Sequence, residues 1–379
     1  MGRYGDGIGV GTDLVRAVET AVAAALAPLG GRVPDLAAVF VSGPDPDEAG
    51  ERALALTGAV ATLGCSAGGV IGGGRGVEEL SAVSVWVGVL PGATLRTFHL
   101  EVMPAEAGAA VVGLPERDEA GDEVAVLLAD PYSFPVDGFV ARASGALPGL
   151  PFVGGLAHGP SGPGSTRLWV DGRTVDRGAV GVLLSGASAR PVVAQGCRAV
   201  GPAMTVTAAR GNVLLGLAGM PALDKVRAVL AELPPPDQAL ASSGLHLGLA
   251  ADEYADDHDY LVRSIVGTEG DGLVVGDLLE VGQTVRLQVR DADTADQDLR
   301  SALSRPGGDP GSAALLFSCN GRGSHLFGPS YGGASHDVTV VRQGLAADAV
   351  AGFFAGGEIG PVAGRSHLHG FTASLLVFP

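Results

Sequence analysis

The segments Ala67–Gly72 (AGGVIG) and Ala355–Gly360 (AGGEIG) are two copies of one motif, and they decide the expected fold of this chain of 379 residues. A short apolar run that ends in a polar turn precedes each copy, at Leu36–Gly43 (LAAVFVSG) and at Ala313–Gly321 (AALLFSCNG). Such self-similarity indicates that one supersecondary unit is used more than once.

A looser third copy lies between these two. Val124–Asp130 (VAVLLAD) is its predicted strand, Asp137–Leu147 its helix, Gly154-Gly155 its turn and Ala179–Ser185 (AVGVLLS) its return strand. Each unit therefore follows the order strand, polar loop, helix, GG turn, strand.

The flanking segments complete the first and last units. Ala82–Leu90 (AVSVWVGVL) and Phe371–Phe378 (FTASLLVF) are strand-like, and Asp47–Leu63 is the predicted helix of the first unit. Apolar runs bounded by Gly and Pro are typical of buried strands. Because strands alternate with helices, we expect an α/β protein whose mixed sheets are covered by helices.

The middle of the chain has a different pattern, with Arg210–Gly219 predicted as two short strands around a turn and Ala222–Leu233 as a helix that three prolines end. The further predicted elements are four meandering strands, a helix, a solvated turn and a Gly/Pro linker, at Leu245–Leu249, Tyr260–Val266, Gly272–Val275, Val285–Val289, Asp296–Ser304, Asp256–Asp259 and Arg305–Ser312. The change in composition near residues 200–210 predicts two tandem domains, 1–205 and 206–379.

Composition excludes several classes of function. With 24 basic and 41 acidic residues the net charge is −17, which disfavours nucleic acid and anionic membranes as partners because both bind basic faces. The longest uncharged stretches, Ala53–Gly74 and Ala143–Thr166, are broken by Gly or Pro, so no membrane span is expected. The N-terminus has no apolar signal region, which predicts a cytoplasmic location.

Cys65, Cys197 and Cys319 stand far apart, so neither a disulfide nor a zinc ribbon is expected.

The sequence does not meet the requirements of two familiar catalytic motifs, the phosphate-binding loop and the nucleophile elbow. The sole lysine, Lys225, has no phosphate loop before it. Gly64–Gly68 (GCSAG) has the form of a nucleophile elbow, but the glycine-rich segment after it cannot form the helix that an elbow requires, so Ser66 is not expected to be catalytic. Cys319 is interpreted as a small buried side chain, with an activated nucleophile as the alternative.

Two histidines at the C-terminal end, His367 and His369, could join Glu358 in a metal site. Imidazoles that bond to the backbone are the favoured interpretation, and we predict neither a metal nor a cofactor.

Charged residues are scarce in the apolar segments, which draws attention to Arg263, Arg322 and Glu358. One interpretation is a pocket for a small zwitterion or carboxylate, in which the arginines bind an anionic group and Glu358 a cationic one. The other is a set of structural ion pairs. We expect Arg322 and Glu358 to lie together on one concave site, lined by the loops Cys319–Gly323 and Gly352–Gly360.

These motifs resemble the FIST sensory-domain family, with its FIST N and FIST C halves in tandem. The N-half likeness lies in LAAVFVSG, LGCSAGGVIGGG and LSAVSVWV, and the C-half likeness in YLVRSIVG, LLFSCNGRG and GFFAGGEIG. The resemblance covers nearly the whole chain after about residue 12. It implies a bacterial intracellular domain that binds small ligands, amino acids among them, and passes a signal to an output domain. No output segment is evident, so a stand-alone member is expected. The motif residues carried over are Cys65, Ser66, Arg263, Cys319, Asn320, Arg322, Glu358 and Thr372.

Two functions of different classes follow. The first is a sensory protein that binds an amino acid or a similar polar metabolite and acts through a separate signalling partner. The alternative is a thiol- or hydroxyl-dependent hydrolase or transferase that uses Cys319, Ser66 or Thr372 and needs a histidine within reach of the nucleophile. A purely structural protein would instead show a large exposed apolar patch.

Overall fold

The structure is a computed structural model that describes residues 2–105, 108–118, 121–251, 260–305 and 311–379. The α-helices of these residues are α1 (Leu14–Leu26), α2 (Asp47–Thr57), α3 (Val136–Ala146), α4 (Ala222–Glu232), α5 (Pro235–Ser243), α6 (Ala292–Leu303), α7 (Gly323–Leu326) and α8 (His336–Leu345). The predicted turn at Asp256–Asp259 and positions 306–310 of the predicted linker lie outside the described residues.

The strands up to residue 194 are β1 (Arg3–Val10), β2 (Leu36–Ser42), β3 (Ala61–Ala67), β4 (Gly69–Gly72), β5 (Arg75–Glu78), β6 (Ala82–Val89), β7 (Thr94–Ala105), β8 (Gly108–Val112), β9 (Asp122–Ala129), β10 (Phe152–Leu156), β11 (Leu168–Val170), β12 (Arg173–Val175), β13 (Ala179–Ser185) and β14 (Arg190–Ala194). The later strands are β15 (Arg198–Arg210), β16 (Val213–Leu217), β17 (Met220–Pro221), β18 (His246–Ala250), β19 (Tyr260–Glu269), β20 (Gly272–Val275), β21 (Thr284–Val289), β22 (Ala313–Cys319), β23 (Ala349–Ala355), β24 (Glu358–Val362), β25 (Arg365–His369) and β26 (Ala373–Phe378).

The chain divides into two compact units. The first comprises Met1–Ala194, Leu299–Leu368 and Thr372–Pro379, and the second Gln195–Asp298 with His369–Phe371. These bounds differ from the tandem halves 1–205 and 206–379, because strands of the C-terminal segment share sheets with strands from the N-terminal half.

Three copies of one topology build the first unit, which confirms the repeats expected from the sequence. The copies run from β2 to β6, from β9 to β13 and from β22 to β26. In each copy the first strand pairs in parallel with the second strand and antiparallel with the last one. The segments Gly68-Gly69 and Gly356-Gly357 lie at the same place, where the second strand gives way to a hairpin.

One glycine occupies the same register position in the second strand of every copy, at Gly64, Gly154 and Gly352. A Cβ atom there would lie 2.3, 1.9 and 1.7 Å from a carbonyl oxygen of the facing first strand, which no side chain tolerates. This register corrects the predicted turn at Gly154-Gly155, because both glycines lie inside β10. The second strand of this copy ends at Leu156.

The hairpin of each copy completes the sheet of another copy. The strand β4 pairs with β23, β11 pairs with β3, and β24 pairs with β10. The three exchanges form a closed ring, so none of the three sheets is assembled from one copy alone.

The strands of this unit are buried, as their continuous apolar runs predict. All residues of β2, β3 and β23 are buried, and aromatic rings such as Phe40 and Phe353, with centroids 5.1 Å apart, fill the core between the sheets. The helix of the first copy, α2, is shorter than the predicted Asp47–Leu63. Gly58 ends it in the left-handed conformation at φ 61°, and residues 61–67 form β3.

The second unit is an antiparallel sheet in the order β15-β21-β18-β19-β20-β16-β17, which closes on itself because β15 also pairs with β16. It contains the predicted strand pair, helix and meandering strands, and it has an apolar core of its own. The predicted helix Asp296–Ser304 is observed as α6, which begins four residues earlier. Among the described residues, no helix combines the length and apolarity needed to cross a membrane.

The repeated glycine gives a direct test of this packing. We expect Gly352→Ala to lower the melting temperature strongly, because its Cβ would overlap the carbonyl oxygen of Leu316 at 1.7 Å, and overpacking costs about 1–3 kcal/mol or more. Gly356→Ala, four residues later, is the matched control, since no atom lies within 4 Å of its added Cβ. Equal melting temperatures for the two variants would contradict the register.

A half-buried carboxylate predicts how stability changes with pH. Asp6 accepts the N–H of Gly73 at 2.6 Å, and burial raises its pKa to about 6 although that bond and Arg342 oppose the rise. A raised pKa in the folded state means that stability falls as the pH rises from 3.8 toward 6. Asp6→Asn should therefore raise the melting temperature at about pH 8, with little gain at about pH 4. Thermal denaturation of both proteins at the two pH values checks this, and a pH-independent gain would refute it.

Candidate ligand-binding site

The carboxyl ends of the three second strands converge. Four residues after each repeated glycine stand Gly68, His158 and Gly356, and all three are exposed although the residue before each is buried. His158 donates its N–H to the carbonyl of Ser66 at 3.0 Å, and Gly356 donates to the carbonyl of Leu156 at 3.3 Å. The three equivalent positions therefore belong to one neighbourhood, although they are far apart in sequence.

An open cleft with a volume of 660 Å³ lies at this point. The residues that line it are mainly glycines and polar residues, with one aromatic ring: Gly68, Gly69, Glu78, Glu79, His158, Asn320, Gly321, Ser324, His325, Ala334, Phe354 and Gly356. Both loops expected to line a pocket, Cys319–Gly323 and Gly352–Gly360, contribute. Clefts outside the carboxyl ends of strands are the usual ligand sites of α/β folds.

Backbone hydrogen bonds fix the turn that forms one wall of the cleft. Asn320 donates its N–H to Ala355 at 2.9 Å, and Arg322 donates its N–H back to Cys319 at 2.8 Å. Across from this turn, Oε2 of Glu78 accepts the N–H of Ser324 at 2.8 Å. The exchanged hairpin β4–β5, which carries Glu78, is thus tied to the turn that follows β22.

A buried ion pair supports the same turn from behind. Arg322 has no exposed surface, and its guanidinium donates to both carboxylate oxygens of Asp337 at 2.8 and 2.9 Å. Ser318 donates to the same carboxylate at 2.7 Å, and Nδ1 of His336 lies 3.0 Å from it. Burial by itself raises the pKa of Asp337, but Arg322, His336 and Ser318 together hold that pKa well below its usual range.

Phe327 closes the apolar side of this network. The ring of His336 stacks on Phe327 with centroids 3.5 Å apart, and the guanidinium of Arg322 lies 5.3 Å from the Phe327 centroid. Asp337, which lies on α8, is the observed ionic partner of Arg322, and no sequence motif pointed to it.

Glu358, the first residue of β24, is also fully buried. Its Oε2 accepts the N–H of Thr372 at 3.1 Å, and the carbonyl of Thr372 accepts the N–H of Cys319 at 2.9 Å. Glu358, Thr372 and Cys319 therefore form one linked set. Since neither Arg322 nor Glu358 has exposed surface, neither presents its charge to solvent in the cleft.

The remaining sequence-derived candidates do not line the cleft. Cys65 is in the main apolar core, where burial raises the pKa of its thiol. Oγ of Ser66 accepts the N–H of Arg167 at 2.9 Å, and the strand β4, not a helix, follows it. Arg263 lies in the second unit, where its Nε donates to Asp277 at 2.6 Å.

The three candidate nucleophiles are all buried. Cys319 is 6% exposed, with Sγ 3.7 Å from Oδ1 of Asn320, and Ser66 and Thr372 are each 1% exposed. The three cysteines are present as thiols, in agreement with the expectation that no disulfide forms. Within the described residues, no group of three or more His, Cys, Asp or Glu residues could hold a metal ion.

The repeated strand–helix–strand units, with a polar cleft at their strand ends, define a protein of the mixed α/β class. The FIST N domain matches residues 35–220 and the FIST C domain matches residues 222–361. The chain therefore belongs to the FIST family, whose domains are small-ligand sensory domains.

Relatives that span the whole chain are known in mycobacteria. Uncharacterized protein Rv0628c of Mycobacterium tuberculosis is 39% identical over 387 residues, which cover 99% of each chain. Uncharacterized protein Mb0898c of Mycobacterium bovis is 37% identical over 387 residues, which cover 99% of this chain and 98% of the relative.

Breaking the buried ion pair should destabilise the fold. Asp337→Asn leaves the buried guanidinium of Arg322 without its counter-charge, and this costs about 3–5 kcal/mol of unfolding free energy. The pKa of Asp337 is lowered in the folded state, so the ion pair contributes its full stability at neutral pH. The difference in unfolding free energy between the two proteins therefore becomes smaller only below pH 3.8, the ordinary pKa of the group. Urea denaturation of both proteins at neutral and acid pH measures it. A loss below about 1 kcal/mol at neutral pH would contradict the ion pair.

Proposed function

We propose that this protein is a cytoplasmic sensory protein that binds a small polar metabolite, an amino acid or a similar compound, in the cleft at the ends of the three second strands. A separate signalling partner would read the bound state. The observation that carries the proposal is the convergence of Gly68, His158 and Gly356, three equivalent repeat positions, on one cleft.

Size and lining support a small ligand. A volume of 660 Å³ falls within the range of about 300–1,000 Å³ that is typical of small-molecule pockets. Glycines bring the backbone close to the cleft, while His158, Asn320 and Ser324 offer hydrogen bonds to a polar ligand.

The buried charges have a positioning role in this proposal. Arg322 and Asp337 hold the turn that carries Asn320 and Gly321, and Glu358 holds the backbone of Thr372, which in turn bonds to Cys319. A wall fixed in this way is preorganised, which reduces the entropy that ligand binding must offset. Asn320 is thus the sequence-derived candidate assigned to direct contact.

Blocking the cleft tests the proposal. A thermal-shift screen against amino acids and small organic acids should yield a compound that raises the melting temperature, since a ligand specific for the folded state adds about 2.7 kcal/mol at a hundredfold excess over its Kd. Gly356→Leu should abolish that shift, because Gly356 is exposed in the cleft lining and no atom lies within 4 Å of an added Cβ.

The matched control is Gly267→Leu, at an exposed glycine of β19 whose added Cβ likewise meets no atom within 4 Å. It should fold normally and retain the full shift. A shift that survives in Gly356→Leu would place the ligand outside the cleft, and a screen without any stabilising compound would overturn the proposed ligand class.

A further inference from the structure

The permanently charged side chains that line the cleft are acidic. Glu78 and Glu79 both line it, and among the described lining residues there is no lysine or arginine. The other ionisable side chains are those of His158 and His325, which are exposed. An anionic ligand would therefore meet two carboxylates and no permanent positive charge.

The arginines that the sequence offered for an anion are already engaged. Arg322 is fully buried and forms a bidentate pair with Asp337. Arg263 belongs to the second unit and pairs with Asp277 at 2.6 Å. Withdrawing a guanidinium from such a pair would leave a carboxylate without its counter-charge, which is costly when the pair is buried.

Both glutamates are held in unusual ways. Oε2 of Glu78 accepts the N–H of Ser324 at 2.8 Å, and its Oε1 would lie 2.0 Å from a Cβ added at Gly323, so the glycine makes room for this carboxylate. Glu79 has a left-handed backbone with φ 58°, which is uncommon for a residue other than glycine. Such backbone strain is frequent at ligand sites.

An aromatic ring completes the lining. Phe354 borders the cleft at the end of β23 and is 3% exposed, so its position is fixed by packing. Its side chain is part of an apolar core cluster, so it adds a small apolar surface to a lining that is otherwise polar and acidic.

We infer that the cleft takes a small organic cation, an amine whose ammonium group binds Glu79 and the anchored carboxylate of Glu78. This inference rests on the proposed function of the cleft and names its ligand class.

Three probes with the same four-carbon chain separate charge from size: 1,4-diaminobutane, 1,4-butanediol and succinate. Titration calorimetry with the full chain should show binding of the diamine and none of succinate at equal concentration. Glu79→Gln should weaken diamine binding about two- to fivefold, as expected for the loss of one solvent-accessible charge pair. Diamine affinity should also fall as salt is raised.

Two variants make the outcomes distinct. Glu232→Gln, an exposed glutamate at the end of α4, makes the same change in net charge outside the cleft and should leave diamine binding unchanged. Gly356→Leu should abolish diamine binding. If succinate or butanediol binds as well as the diamine and Gly356→Leu abolishes it, the cleft is the site but the cation inference is wrong. If no probe binds, or if Glu79→Gln and Glu232→Gln behave alike, the cation inference is also overturned, while the metabolite screen separately decides the proposed function.

Discussion

The exchange of hairpins among the three repeats is the constraint on which the rest of the first unit depends. Each second strand is paired on one side with the first strand of its own copy and on the other with a hairpin strand from another copy. Its carboxyl end is therefore held by two copies at once. This arrangement brings three strand ends to one cleft, and it delivers the hairpin that carries Glu78 to the turn after β22. Because each of the three sheets of the first unit needs a strand from another copy, the same pairings that build the core also position the strand ends at the cleft.

The exchange of hairpins buries the strands, and this burial decides where charged side chains lie near the strand ends. The strands that lead to the cleft are buried along their length, so a charged group near their ends must be paired or exposed. Arg322 and Asp337 satisfy this rule by pairing, with Ser318 and His336 completing the hydrogen bonds of the carboxylate. Glu79 satisfies it by exposure at the cleft. The same physical requirement thus separates the charges that support the wall from those that can meet a ligand.

Much of the fold and part of the site could be predicted from the sequence. The apolar runs at Leu36–Ser42 and Ala313–Cys319 identified buried strands, and the loops after β22 and β23 were correctly expected to line a pocket. The turn assigned to Gly154-Gly155 was displaced, because a glycine pair marks a turn in sequence but here marks a close approach of two strands. His158 could have been found by aligning the three copies on that glycine.

Local sequence determined what depends on neighbouring residues: the strands, most helices, the repeats and the polar turns at the strand ends. Periodicity and turn chemistry act over a few residues, so they can be interpreted without knowledge of the fold. Only the tertiary structure decided which hairpin joins which sheet, that Asp337 is the partner of Arg322, and that Glu78 and Glu79 face a cleft. These features depend on pairings between residues far apart in the chain, as between Glu78 and Ser324. They also depend on burial, because a buried charge is costly unless a partner of opposite charge lies beside it.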